Sequence, residues 1–415
     1  MEENRRMIES EKFKEQYRKV KSAFTRTRKL SFSMIIVFIL QKSVKSLQIR
    51  LNEWYDWLGG KTVSNSALTQ ARANLSHKAF IALNARNVEL FYEDGDYKRY
   101  QGFRLLAVDG SKIRLPKGAS IKEEFGAISY RNQKEEVKGE HNYAQLSVLY
   151  DVINKIVITA ECGKARAYEV ELAIKHLNKV NKEEDLLLFD RNYATYEFMA
   201  TLLEQKINFV IRCPVKYTLA AEMQAGTGAD SRVVAIKYQK KTFQVRFVRV
   251  LLSTGEYEIL VTSLLNEQSY PTEIFKEIYG LRWGIETYYG LIKTRLELEN
   301  FTGKTVESVL QDLYSTIYLT TLETILTWET EENLETKQTN KNRQQVNHVV
   351  SFHAIKTEAL NLLLSDLPIE KVISKLRALF LTNPILDKKK PPTERKNKTA
   401  RLLLHYHRTQ RKHGF

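Results

Sequence analysis

Cysteine is nearly absent from this sequence. Cys162 and Cys213 are the only two in 415 residues. That excludes a disulfide framework and a Cys-rich zinc site, and points to a reducing, cytoplasmic compartment. Long apolar runs are missing as well. The run from Met34 to Leu40 stops at Gln41-Lys42, far short of the ~20 residues that span a bilayer. It reads as a buried helix segment, and no membrane association is expected. The N-terminus sets Glu and Arg side by side, so no signal peptide is expected. A G-x-x-x-x-G-K-[ST] loop is lacking, so no nucleotide cofactor is expected. His405, His407 and His413 lack acidic or cysteine neighbours, which argues against zinc there. No internal repeat is present.

What is present is positive charge, unevenly placed. The formal net charge is +16. Residues 1–50 hold 13 Lys/Arg against 5 Asp/Glu, and residues 387–415 hold 10 against 2, so the two ends carry the whole excess. Residues 201–250 are locally basic, 9 against 3. Clustered cations suit a polyanion, because each neutralised phosphate releases a condensed counterion. A soluble protein with charged ends would show the same totals, so charge says where DNA could bind and nothing about chemistry.

Periodicity divides the chain. Residues 1–100 read as a helical domain, with Arg26-Thr27-Arg28-Lys29 leading into the apolar segment. Ser64 or Asn65 can cap a helix through Leu68, Arg72 and Leu75. Its composition resembles a recognition helix, with Ser66, Thr69, Gln70 and Arg72 expected to face outward, although a plain helical bundle accounts for these residues at least as well. Residues 101–213 form the first part of an α/β core. An apolar strand from Phe103 to Val108 ends at Asp109-Gly110, and residues 116–140 read as a charged, flexible excursion. Strands Tyr143 to Tyr150 and Lys155 to Ala160 follow, then a helix, then strand Leu186 to Phe189 ending at Asp190. A three-strand lead followed by alternating helix and strand is the order of an RNase H-like core. Residues 214–265 read as a β-rich insertion. Residues 266–305 supply a long helix from Pro271, well placed at a helix start, to about Leu298. Residues 306–386 read as helical, with an exposed linker at 329–346, and residues 387–415 as a basic tail. The fold class expected is therefore α/β, with helical regions before and after an interrupted core.

Hard divalent cations take oxygen ligands from carboxylates that converge from different elements. Asp109 and Asp190 each follow a short apolar run, and strand ends in a parallel sheet are where catalytic groups gather. Either aspartate alone could be structural, as a turn residue or a helix cap. The long helix adds a pattern. Tyr279, Arg282, Glu286 and Lys293 fall within a stripe about 60° wide at roughly 100° per residue. Ile278, Leu281, Ile285, Tyr288, Tyr289, Ile292 and Leu296 fill a separate stripe that should face the core. One edge thus anchors the helix while its neighbour presents an acid with cations and a phenol. The plainer reading is an exposed Arg282–Glu286 pair at i,i+4.

At these residues the sequence resembles a known family. Tyr279-x2-Arg282-x3-Glu286-x6-Lys293 is similar to the YREK signature of bacterial insertion-sequence DDE transposases. Asp109 stands in a matching Val-Asp-Gly-Ser context, and Asp190-Arg191-Asn192-Tyr193 resembles that family's Asp-Arg-Gly-Tyr block. The likeness runs from about residue 20 to residue 305 and includes Leu298-Glu299-x-Phe301-x-Gly303-Lys304. Asn192 departs from the family's usual Gly, although Asn tolerates positive φ better than most residues.

The resemblance implies an RNase H-like catalytic domain with a β insertion before the glutamate, and a helical N-terminal DNA-binding domain. It implies a homodimer in a synaptic complex with double-stranded DNA, both element ends and target. Asp109, Asp190 and Glu286 would be catalytic and would bind two Mg²⁺ ions, with Mn²⁺ able to substitute. Tyr279, Arg282 and Lys293 would contact phosphates, and Arg191 and Arg72 count as further DNA-binding candidates. Cut-and-paste transposition through a hairpin, with a base flipped from the stack, is the implied reaction. Trp283 lies off the signature stripe and is not assigned the stacking role. The rival readings are a nuclease that only hydrolyses and an inactive derivative that still binds DNA.

Overall fold

The computed structural model describes residues 1–25, 29–43, 45–131, 137–214, 223, 230–252, 255–336 and 343–386. The Arg26-Thr27-Arg28 lead-in, the 387–415 tail and most of 214–229 lie outside these. The chain divides into two compact units. The first comprises Met1–Glu89, Arg114–Asn142 and Thr294–Phe415, the second Leu90–Ile113 and Tyr143–Lys293.

The second unit is built on a mixed sheet. Its strands are β1 (Arg104–Arg114), β3 (Val137–Asp151, of which 143–151 lie in this unit), β4 (Ile156–Lys164), β5 (Asp185–Phe189), β6 (Asn208–Arg212), β7 (Ser231–Tyr238), β8 (Lys241–Leu251) and β9 (Tyr257–Thr262). They lie in the order β4-β3-β1-β5-β6-β9-β8-β7. β1, β5 and β6 are mutually parallel, while β3–β4 and the β6–β9–β8–β7 pairings are antiparallel. The order β4-β3-β1-β5-β6 is the one expected for an RNase H-like core. β5 is buried at all five positions, as a parallel strand covered on both faces must be.

The three inserted strands continue this same sheet, because β9 pairs with β6. Gln239 and Lys240 turn β7 into β8 with φ of 44° and 63°, the left-handed pair that a tight hairpin needs. One expectation fails at β1. The strand does not end at Asp109-Gly110 but runs on to Arg114, so Asp109 lies within a strand.

The long helix is also not one element. Pro271–Glu273 form a turn, α-helix runs over Ile274–Leu281 and Trp283–Gly290, and a π turn covers Leu291–Arg295. Its apolar face is largely as read: Ile278, Ile285, Tyr288, Tyr289, Ile292 and Leu296 are buried, while Leu281 is half-buried. Gly284 allows the close fit, since a Cβ there would lie 3.3 Å from Val152 Cβ. The π turn widens the spiral by one residue per turn, so Lys293 leaves the phase that a uniform helix would give it.

The first unit is helical. Phe32–Leu40 buries seven of its residues, each apolar side chain contributing about 1.5–3 kcal/mol when fully covered. It packs on Val306–Thr336, a helix of 31 residues. That helix occupies the start of the expected 329–346 linker, because Thr330 and Leu334, four residues apart, are both buried and keep the helical face apolar. Residues 116–140 are likewise more regular than expected. They form a helix, Ala119–Phe125, and β2 (Ala127–Arg131), which pairs antiparallel with the first residues of β3. His348–Thr357, Ala359–Leu363 and Ile369–Thr382 complete the unit. No described helix is long and apolar enough to cross a membrane.

Candidate active site

Asp109 is brought to the site by β1, whose preceding residues Leu105 to Val108 are fully buried. Its side chain is 19% exposed. Oδ1 accepts a hydrogen bond from the Gly110 N–H at 2.8 Å. The Tyr289 hydroxyl lies 2.9 Å from the Asp109 carbonyl oxygen and 3.1 Å from that of Leu146, which ties the helix to the strand beneath it. Burial pushes the Asp109 carboxyl up to about 7. The Gly110 N–H and Arg282 pull it down, and the carboxylates of Asp190 and Glu169 push it further up.

Asp190 directly follows β5 and caps a single 3₁₀ turn, Arg191–Tyr193, by accepting from Asn192 N–H at 2.8 Å. The following helix, Tyr196–Glu204, is capped instead by Thr195. Asn192 is not among the residues with positive φ, so this turn makes no demand that glycine alone could meet. Arg191 is exposed beside it.

Glu286 and Arg282 come from the broken helix. The plainer sequence reading is realised here, since Arg282 Nη2 donates to Glu286 Oε1 at 2.7 Å. The pair is not simply an exposed one. Arg282 has a side chain only 4% exposed, and its Nη1 stands 4.0 Å from Asp109 Oδ2. One guanidinium therefore touches both acids, while the Glu286 side chain is 44% exposed.

Tyr279 departs from expectation. It is buried, its hydroxyl has no hydrogen-bond partner among the described residues, and its ring lies 5.6 Å from the Arg282 guanidinium. Burial pushes its phenol well up. The uniform stripe placed it on an outer edge, but the helix is covered on that side as well. Lys293 donates to Ser111 Oγ and to the Lys112 carbonyl, both at 2.7 Å, clamping the end of β1.

Arg72 belongs to the first unit and is not on an outward face. It is buried, with Nη2 2.8 Å from Asp312 Oδ1 and Nε 2.6 Å from Gln311 Oε1. A helix turned so that Leu68 and Arg72 share one face must bury both. This corrects the outward-facing placement read from the composition of its helix.

Sequence reasoning missed Glu169 and Gln145. Glu169 opens the helix Glu169–His176. It accepts from Gln145 Nε2 at 3.1 Å and from the Asn192 side chain. Burial raises its carboxyl, and Asp190 raises it further. Gly110 is the residue that admits this pair, because a Cβ there would stand 2.5 Å from Gln145 Nε2 and 3.0 Å from Glu169 Oε1. The glycine after the first aspartate was the available signal, and it marks a close approach rather than a turn. Tyr193 completes the floor. Its hydroxyl is buried without a partner among the described residues, and burial, then Glu169, Asp109 and Asp190, push it far up.

The donor chemistry suits a hard divalent cation, since carboxylates that raise one another's proton affinity are relieved by a shared positive charge. Among the described residues, however, no three His, Cys, Asp or Glu side chains are grouped closely enough to hold one ion. Arg282 now occupies Glu286 Oε1, so that oxygen would have to leave the guanidinium before joining the aspartates.

A family model described as the transposase DDE domain matches residues 100–322, more than half of the chain. A cryo-EM structure of a piggyBac transposase synaptic complex with hairpin DNA is similar at 11% identity and a TM-score of 0.44. The likeness covers 89% of this chain and 78% of that one. No curated protein matches.

Proposed function

Because this chain belongs to the transposase DDE-domain family, and is thus an enzyme acting on DNA, we propose that it mobilises an insertion sequence of the YREK group. In this reading it binds the terminal inverted repeats as a homodimer, cuts the DNA and joins the freed ends to a target. The observation that carries the proposal is the shared guanidinium: Arg282 contacts both Asp109 and Glu286, and Asp190 lies close enough to raise the Asp109 carboxyl.

Asp109, Asp190 and Glu286 would hold Mg²⁺, or Mn²⁺ in its place, which supplies Lewis acidity at the phosphate and lowers the pKa of an attacking water. The rest falls to the chain. Arg282 is a positioning residue, holding Glu286 over Asp109 until DNA enters. Tyr279 backs that guanidinium with its ring. Lys293 keeps Ser111 and Lys112 at the end of β1 and offers its charge to the DNA backbone, as does the exposed Arg191. Water attacks one phosphodiester and releases a 3′-OH. That hydroxyl then attacks a phosphodiester of the opposite strand, closing a hairpin and releasing the flanking DNA; a second water opens the hairpin, and the 3′-OH so regenerated attacks the target. Each transfer breaks one P–O bond and forms another, so no nucleotide is consumed.

The test is a cleavage and strand-transfer assay on DNA carrying the element's ends, with wild type beside Glu286→Ala. Both activities should vanish in the variant while DNA binding persists. Cutting without joining in the wild type would replace this reading by simple hydrolysis.

A further inference from the structure

The first unit holds two lysines whose charge is not met. Lys42 is buried, and its ammonium donates to the carbonyl oxygens of Glu297 and Leu298 at 3.2 and 3.0 Å. Lys356, partly buried, donates to the Lys42 carbonyl at 2.8 Å. Among the described residues neither ammonium has a carboxylate within ion-pair distance. Asp312, the buried acid nearest in effect to Lys42, is already paired with Arg72. Burial first, then neighbouring cations, push both lysines down to about 8, against an upward pull from Glu297 on both and from Asp312 on Lys42. Buried charges are normally paired, and these two are left short of an anion.

Both line a cavity of about 230 Å³ with Ser43, Arg295, His348 and His353. The Ser43 hydroxyl is buried without a hydrogen-bond partner among the described residues. Arg295 and His353 are exposed, and their side chains make no hydrogen bond or ion pair among those residues. The acids nearby do not balance this set. His348 is held by Glu323 at 2.9 Å, and Glu297 is the one acid in the lining.

We infer that this cavity is a phosphate-binding site, in which Lys42, Lys356 and Arg295 surround one tetrahedral anion and Ser43 and His353 donate to its oxygens. The number of unused donors selects the anion. A carboxylate offers two oxygens on one edge, whereas a phosphate presents oxygens on several sides to ammonium, guanidinium and hydroxyl groups together. The phosphate is either one link of a DNA backbone or free inorganic phosphate. The inference goes beyond the strand-transfer reading and does not rest on it, since none of these residues belongs to the acidic site.

Lys42 is too deeply placed to replace without disturbing the fold, so the variants are Arg295→Gln and His353→Gln, both at exposed positions. Two measurements are made on the full chain. The first is affinity for a short duplex as a function of salt. The second is the unfolding midpoint with and without inorganic phosphate at constant ionic strength. If the occupant is a backbone phosphate, Arg295→Gln lowers the slope of log K against log salt by about 1, and inorganic phosphate shifts no midpoint. If it is free phosphate, the wild-type midpoint rises with phosphate, the rise is lost in both variants, and the DNA slope is unchanged. A wild type that neither gains stability from phosphate nor differs from the variants in slope overturns the inference. Cleavage is not read in either arm, so failure here is separate from failure of the transposition mechanism.

Discussion

Replacing Arg72 by methionine removes the guanidinium that, alone among the described residues, is paired with Asp312, while keeping most of the apolar stem. Four hydrogen bonds are lost: to Gln311 Oε1 and Thr302 Oγ1 at 2.6 Å, and to the Ser308 carbonyl and Asp312 Oδ1 at 2.8 Å. The decisive term is the acid left behind. The Asp312 side chain is 1% exposed. Burial alone would raise its carboxyl, yet Arg72, Lys42 and the Thr302 N–H hold it below its ordinary value. Without Arg72 a buried charge stands uncompensated, which costs about 3–5 kcal/mol. Pairing the change with Asp312→Leu removes the stranded charge, so the double variant should recover most of that loss. Urea unfolding followed by tryptophan fluorescence reads this directly, because Trp54, Trp57 and Trp328 all lie in the first unit. The salt dependence of DNA binding should be unchanged. A loss under about 1 kcal/mol, together with a shallower salt slope, would refute the internal ion pair and return Arg72 to the DNA-facing role its helix composition suggested.

Two further outcomes follow from the second unit. Gly110→Ala should drive Gln145 off Glu169, costing about 1–2 kcal/mol for the strained contact and lost hydrogen bond. Adding Gln145→Ala should restore part of the midpoint in a thermal melt, and a single variant as stable as wild type would show that the contact yields freely. His176 should make the protein acid-sensitive. It is buried, its Nε2 is 3.1 Å from Ser147 Oγ, and burial followed by Lys175 pushes it down to about 4. Between an unfolded value near 6.5 and that folded value, only the unfolded chain takes up a proton. Stability is therefore lost as pH falls through this window, by about 3 kcal/mol in all. His176→Leu should flatten the fall, as seen by urea midpoints measured at neutral and at mildly acidic pH.

Most of what identifies this protein was legible along the chain. The strands Leu186 to Phe189 and Tyr257 to Thr262 announce themselves as short apolar or alternating runs, and the apolar stripe from Ile278 to Ile292 is visible from spacing alone. These are local consequences of period, and local period survives into the fold. While their order within the sheet is seen only in the fold, the succession of strands and helices along the chain, and with it an RNase H-like core, follows from the same reading. So does the run of Asp109, Asp190 and Glu286, because residue type and context mark each one.

What the sequence could not determine is which neighbour each polar group would meet. Arg72 shares residue type and helical setting with a DNA contact. Only the packing of Val306–Thr336 puts Asp312, some 240 positions away, against it. Tyr279 sits in phase with Arg282 and Glu286 on a helix, but that side of the helix is covered in the fold and its phenol is buried. Glu169 carries no motif and enters the site only because Gly110 leaves room beside β1. Lys42 and Lys356 become neighbours across about 310 residues of chain, and no periodicity could bring them together. The sequence by itself determined the family and most of the elements, though not the end of β1, the division of the 271–298 helix, or the regular structure within 116–140 and 329–336. Tertiary packing decided which charges are paired, which are stranded, and so where an ion or a phosphate is wanted, because burial and distance set electrostatic cost and neither is a property of the chain read in one dimension.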